Sequence, residues 1–170
     1  MNARFISSLL SPEHIAMVDK GVSTIVGSCD ANLRPSIMRA LGSSITPDGK
    51  SVTVYLSSKQ SSQLLLDVTA TGRIAVVFSE PSSHRTLQVK ASQARIRSAQ
   101  ASDEALLQRY LAAMEAELAR IGFDARFTRA MFALNLDEVV AISFEPEEAY
   151  DQTPGPKAGT ALSAVGRSIT

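Results

Sequence analysis

Residues 22–97 hold five short segments rich in β-branched residues, separated by gaps no longer than a turn or a single short helix. The first, residues 22–29, carries Val22, Thr24, Ile25 and Val26, types that suit a pleated, half-buried surface. Asp30-Ala-Asn-Leu-Arg-Pro35 is a turn by composition, and residues 36–46 form the second strand. Pro47-Asp48-Gly49-Lys50 places Pro, Asp and Gly where a tight turn wants them. It leads into residues 51–57, with Val52, Val54 and Leu56 on one face and Thr53, Tyr55 and Ser57 on the other. Two strands around a short turn make a hairpin. Residues 73–79 have a continuous apolar centre, Ile74-Ala-Val-Val-Phe78, which predicts a strand buried on both faces. Residues 85–97 read as a long fifth strand that turns polar late. So many strands at such spacing argue for a meander or barrel. They argue against a doubly wound sheet, which needs long helices between its strands.

The flanking segments are helical. Residues 11–20 have Ser11 to cap, Pro12 for the first helical position and Gly21 to stop. Residues 61–70 turn Leu64, Leu65 and Val68 towards a core. Residues 103–121, with Ser102 as cap, repeat Leu106, Leu107, Tyr110, Leu111, Met114, Leu118 and Ile121 at helical spacing. Residues 126–134 give another helical turn, and residues 138–144 a sixth strand. After Pro146 the composition is that of a loop. One domain over residues 1–148 and a C-terminal tail over 149–170, loop or partly disordered, is the expected organisation.

Lys+Arg and Asp+Glu are both 17, so no bulk field recruits nucleic acid or an anionic membrane. The single cysteine, Cys29, excludes an intrachain disulfide and suits a reducing compartment. With no apolar leader and no run long enough to span a bilayer, the cytoplasm is the expected location. Two histidines and one cysteine argue against a zinc site, and no metal is expected. Cys29 reads as a small core residue at a strand end.

Three polar groups stand out. Ser57-Ser-Lys-Gln-Ser-Ser62 follows a strand and opens a helix. Helix starts offer unpaired N–H groups and positive partial charge, so hydroxyls and an ammonium there would complete a phosphate site. The alternative is that the serines cap the helix and Lys59 is solvated. Arg39, on a flat strand, shares a face with Ile37, Leu41 and Ile45, and an arginine there needs a partner: a carboxylate, a ligand phosphate or water. Thr86, Gln88 and Lys90 line one face of the fifth strand, entered from a loop with His84 and Arg85. They either read a heteroaromatic ring or form an ordinary polar outer face. No catalytic residue is identifiable.

Arg34-Pro-Ser-Ile-Met-Arg39, Val54-Tyr-Leu-Ser-Ser-Lys59, Gly72-Arg-Ile-Ala-Val-Val-Phe78 and Ser83-His-Arg-Thr-Leu-Gln-Val-Lys90 resemble, in order and spacing, the pyridoxamine 5′-phosphate oxidase-like family of FMN-binding split barrels. The resemblance covers residues 10 to 145. It implies a mainly β (α+β) fold, a six-stranded antiparallel Greek-key split barrel with flanking helices. It also implies a homodimer holding FMN at the interface, and an oxidoreductase acting on a small molecule. The residues it nominates for the cofactor are Arg39, Ser57, Ser58, Lys59, Gln63, Arg85, Thr86 and Gln88. The chain departs from the family in having no tryptophan, in Ala91 where many relatives have glycine, and in its tail, so vitamin oxidase activity does not follow. Two other readings stay open: a non-catalytic flavin- or haem-binding sensor, and a structural dimer in which Arg39 pairs with a carboxylate such as Asp67.

Overall fold

The computed structural model describes residues 8–163. Helix α1 (Pro12–Lys20) starts on a reciprocal cap: the Ser11 hydroxyl accepts from the His14 N–H, and the His14 ring accepts from the Ser11 N–H. Then come β1 (Ser23–Cys29), β2 (Pro35–Arg39), β3 (Gly42–Ile45), β4 (Val52–Ser57), α2 (Ser62–Thr71), β5 (Ile74–Ser79), β6 (Thr86–Ala91) and β7 (Arg95–Ser98). Helices α3 (Glu104–Ala119) and α4 (Ala125–Met131) follow, then β8 (Val139–Phe144), β9 (Glu148–Asp151) and β10 (Thr160–Ala161). A 3-10 turn at Ala101–Asp103 precedes α3, so the residue before that helix is Asp103 rather than the expected Ser102.

The strands form two antiparallel sheets. One, sheet A, has the order β10-β9-β6-β5-β1-β2; the other, sheet B, has the order β3-β4-β8-β7. Two expected strands are each broken in two, and the breaks close the barrel. Residues 36–46 become β2 in sheet A and β3 in sheet B. At the corner the Ala40 N–H bonds to Thr24 O at 2.9 Å and the next N–H, of Leu41, to Tyr55 O at 2.7 Å, one in each sheet. Residues 85–97 become β6 and β7 in the same way, turning beside the end of α2. There Gly72 has a φ of 68°, and a Cβ would lie 2.4 Å from the Ser92 carbonyl oxygen, so only glycine fits. Counting each broken strand once, β1, β2/β3, β4, β8, β7/β6 and β5 make the six-stranded split barrel. The tail is not all loop: β9 pairs with β6 and β10 with β9, extending sheet A beyond the barrel.

The barrel interior is packed with Val26, Val54, Val76, Phe78, Val89 and Ile142, each fully buried side chain contributing roughly 1.5–3 kcal/mol. A second core lies on the far side of sheet B, where Tyr55, Leu41 and Ala141 meet Leu107, Tyr110 and Met114 of α3. Sheet B is thus covered on both faces. Over the barrel strands of sheet A the outer face is open, which corrects the expectation for β5. Ile74, Val76 and Phe78 are buried but Ala75 and Val77 are only half-buried. Cys29 is likewise half-buried at the end of β1, not a core residue. Among the described residues no helix is long and apolar enough to cross a membrane.

Candidate functional site

Strand β4 ends at Ser57, and the chain turns through residues 58–61 into α2. Ser58 spends both donors on one acceptor: its N–H and its hydroxyl reach the Glu138 carbonyl at 2.8 and 2.9 Å. The Lys59 ammonium lies 2.6 Å from a Glu138 carboxylate oxygen, both on the surface. The Ser57 hydroxyl accepts from the Gln60 N–H at 3.4 Å. Ser61 is different. It is 2% exposed, and its hydroxyl is the one buried side-chain polar atom among the described residues without a hydrogen-bond partner. Leaving such a group unpaired costs about 1–3 kcal/mol, and an isolated exception of this kind asks for an explanation.

Ser57, Gln60, Met131, Asn135 and Glu138 line a cleft of about 170 Å³ beside this opening. Met131 links it to Arg39, whose guanidinium donates to the Met131 sulfur. Arg39 is exposed at the end of β2 and has no carboxylate partner among the described residues. It shares its outward face with Ile37, but not with Leu41 and Ile45, which the corner turns into the two cores. A thioether is a weak acceptor, so the guanidinium keeps its capacity for an anion. Asp67, the suggested internal partner for Arg39, is taken elsewhere. It accepts from the Ser36 hydroxyl at 2.6 Å and from the Gln63 amide at 2.8 Å. Gln63 is thereby committed to holding a buried carboxylate.

The remaining nominated residues lie across the sheet. Ladder register sets Arg39 opposite Ile25, Ile25 opposite Val77, Val77 opposite Gln88 and Gln88 opposite Tyr150. Side chains in one such row share a face, so Arg39 and Gln88 both point outward, three strand spacings or roughly 14 Å apart. The Gln88 amide oxygen accepts from Gln152 at 3.2 Å, and the Thr86 hydroxyl sits 2.9 Å from that of Ser79. The Arg85 guanidinium makes, among the described residues, a loose 3.7 Å contact with Glu13. Within one chain, then, Arg39, Ser57, Ser58 and Lys59 gather around Met131 and Glu138, while Arg85, Thr86 and Gln88 form a separate group. Sequence reasoning had no means of finding Glu138 or Met131, which stand 79 and 92 residues from their partners.

No family model and no curated sequence matches this chain. Solved structures do match in fold. HupZ of Group A Streptococcus aligns with a TM-score of 0.55 at 16% identity, over 88% of this chain and 99% of its own. A candidate pyridoxamine 5′-phosphate oxidase from Lactobacillus delbrueckii gives 0.53 at 12% identity, over 88% and 99%. An F420 reductase gives 0.57 at 12% identity, over 82% and 98%. The chain therefore has the split-barrel fold that the sequence resemblance implied.

Proposed function

We propose that this chain binds FMN and acts as an oxidoreductase on a small molecule, working as a homodimer with the cofactor at the interface. The observation that carries the reading is the pairing of an arginine without a carboxylate, Arg39, with a serine-rich helix opening that contains an unpartnered buried hydroxyl, Ser61. That donor set fits a phosphate. Arg39 and Ser57 would hold it, with Lys59 adding charge once it leaves Glu138; the Ser61 hydroxyl, buried and outside the cleft lining, would join them only after the helix opening shifts. Ser58 as it stands is spent on the Glu138 carbonyl, and Gln63 supports the site through Asp67. When bound, the flavin supplies the electron-transfer chemistry; this chain's residues supply binding and electrostatics.

The open face of sheet A supports the second copy. Ile37 is 70% exposed, and Ile25 and Val77 beside it are half-buried, an apolar strip that a second subunit would cover. In that arrangement Arg85, Thr86 and Gln88 serve the cofactor held by the other copy, which accounts for their distance from Arg39 within one chain.

The test is the absorbance spectrum of the purified protein with mass measurement of the released ligand, alongside sedimentation. A flavin band near about 450 nm, the mass of FMN and a dimeric species are expected. A colourless protein with no affinity for added FMN overturns the reading, and an intense Soret band replaces it with haem. A deazaflavin mass would keep the site and change the cofactor. Reduction of the bound flavin by NADH or NADPH then separates an enzyme from a sensor.

A further inference from the structure

Gly27, in the middle of β1, has no conformational reason to be glycine. Its φ lies outside the left-handed region, and a Cβ there would meet only the Ser36 and Ala75 carbonyl oxygens, at 3.6 and 3.8 Å, which is ordinary contact. Glycine inside a strand costs stability relative to a β-branched residue. What the missing side chain leaves is space. Register puts Ile37 opposite Gly27, Gly27 opposite Ala75 and Ala75 opposite Lys90, all on the open face of sheet A. The row runs large, none, small, large. Its two central strands form the floor of a groove of about 470 Å³, within the roughly 300–1,000 Å³ range of small-molecule sites.

The polar groups around the groove are unequally spent. Glu147 accepts from the Ser92 N–H at 3.1 Å and from its hydroxyl at 2.8 Å, and Glu148 accepts from the Tyr150 hydroxyl. Arg73 and Lys90, which also line the groove, form no ion pair among the described residues. The Lys90 ammonium rests 4.8 Å from the centre of the Tyr150 ring. The donors left free are therefore the two cations, although Glu148 keeps one carboxylate oxygen without a donor among the described residues. We propose that this groove binds a planar aromatic molecule carrying an anionic group, its ring on the Gly27–Ala75 floor and its anion towards Arg73 and Lys90. The groove uses neither Arg39 nor the α2 opening, but it shares Ile37 and the open face of sheet A with the proposed dimer strip, so ligand and second copy coexist only where the second copy leaves the Gly27–Ala75 row uncovered.

The experiment titrates the full-length protein with naphthoate and with the neutral naphthyl alcohol of the same shape. Wild type should bind naphthoate in preference to the alcohol. Gly27→Val should fold with an unchanged or higher unfolding midpoint and bind naphthoate at least about tenfold more weakly. The double variant Arg73→Gln/Lys90→Gln should lose the preference for the anion. If Gly27→Val does not fold, Ala75→Leu fills the same floor from β5 and is read in the same way. The proposal is overturned if wild type does not bind naphthoate, if a filled floor leaves affinity unchanged, or if the preference for the anion survives the double variant. A filled floor that converts a dimer to monomer in a protein whose wild type ignores naphthoate would assign the hollow to a second copy of the chain instead.

Discussion

Arg39 ends β2 at a sheet corner and Arg97 lies near the end of β7 that leads to α3, yet their surroundings are opposite. Arg97 grips Asp103 with two guanidinium nitrogens, at 2.6 and 2.9 Å. Asp103, 7% exposed, also accepts from the Tyr55 hydroxyl at 2.9 Å and from the Gln100 N–H at 2.8 Å. The Arg97 guanidinium in the first place, helped by the Gln100 N–H and Tyr55, holds the Asp103 carboxyl well below the usual carboxylate range against the opposing effect of burial. The Tyr55 hydroxyl, the Gln100 N–H and both terminal guanidinium nitrogens of Arg97 have Asp103 as acceptor, and the cluster ties the start of α3 to sheet B. Arg39 has, among the described residues, only a thioether. A cation surrounded by fitted acceptors is part of the scaffold, whereas one left with a poor acceptor on an open face is available to a ligand.

The contrast can be broken most sharply at Asp103. Asp103→Ala removes four accepted hydrogen bonds and leaves the Tyr55 hydroxyl buried without its acceptor. The expected loss is roughly 3 kcal/mol, read from urea unfolding midpoints, with FMN affinity unchanged so long as the protein is folded. Arg39→Ala should do the reverse. Stability should move by no more than about 0.5 kcal/mol, as for an exposed surface residue, while FMN affinity falls about tenfold or more from the loss of a charge-assisted contact. Equal FMN affinity in the two proteins would remove Arg39 from the site. The smallest effect is on pH dependence. Because the folded Asp103 pKa lies below the unfolded one, its stabilisation is present above about pH 4 and lost as pH falls below that. Asp103→Asn should flatten this part of the acid-unfolding curve, whereas Arg39→Ala should leave it as in wild type.

How far each region was legible follows from the range of its contacts. The 47–50 turn and the β3–β4 hairpin, the caps of α1 and the apolar stripe of α3 are local patterns, and a single sequence displays them. The corner at Ala40–Leu41 is not local. Ala40 and Leu41 look like two more residues of one strand, and what divides it is that their N–H groups meet carbonyls from two different sheets. The same applies to Asp67. Its sequence neighbourhood offers it to any cation, but packing delivers Ser36 and Gln63 first. β9 was missed because a four-residue strand with Glu148 and Asp151 has weak propensity of its own, and its place is set by β6 beside it.

By itself the sequence determined the order and type of the barrel segments and which polar residues stand out against them, since side-chain period and turn chemistry act over a few residues. The run from β1 to β7 was visible on those grounds. Only the tertiary structure decided where strands change sheet, that the outer face of sheet A lies open over its barrel strands while sheet B is covered on both sides, and which polar groups are already satisfied. Those outcomes depend on acceptors many tens of residues away, and hydrogen bonding and burial are settled only when the chain closes on itself.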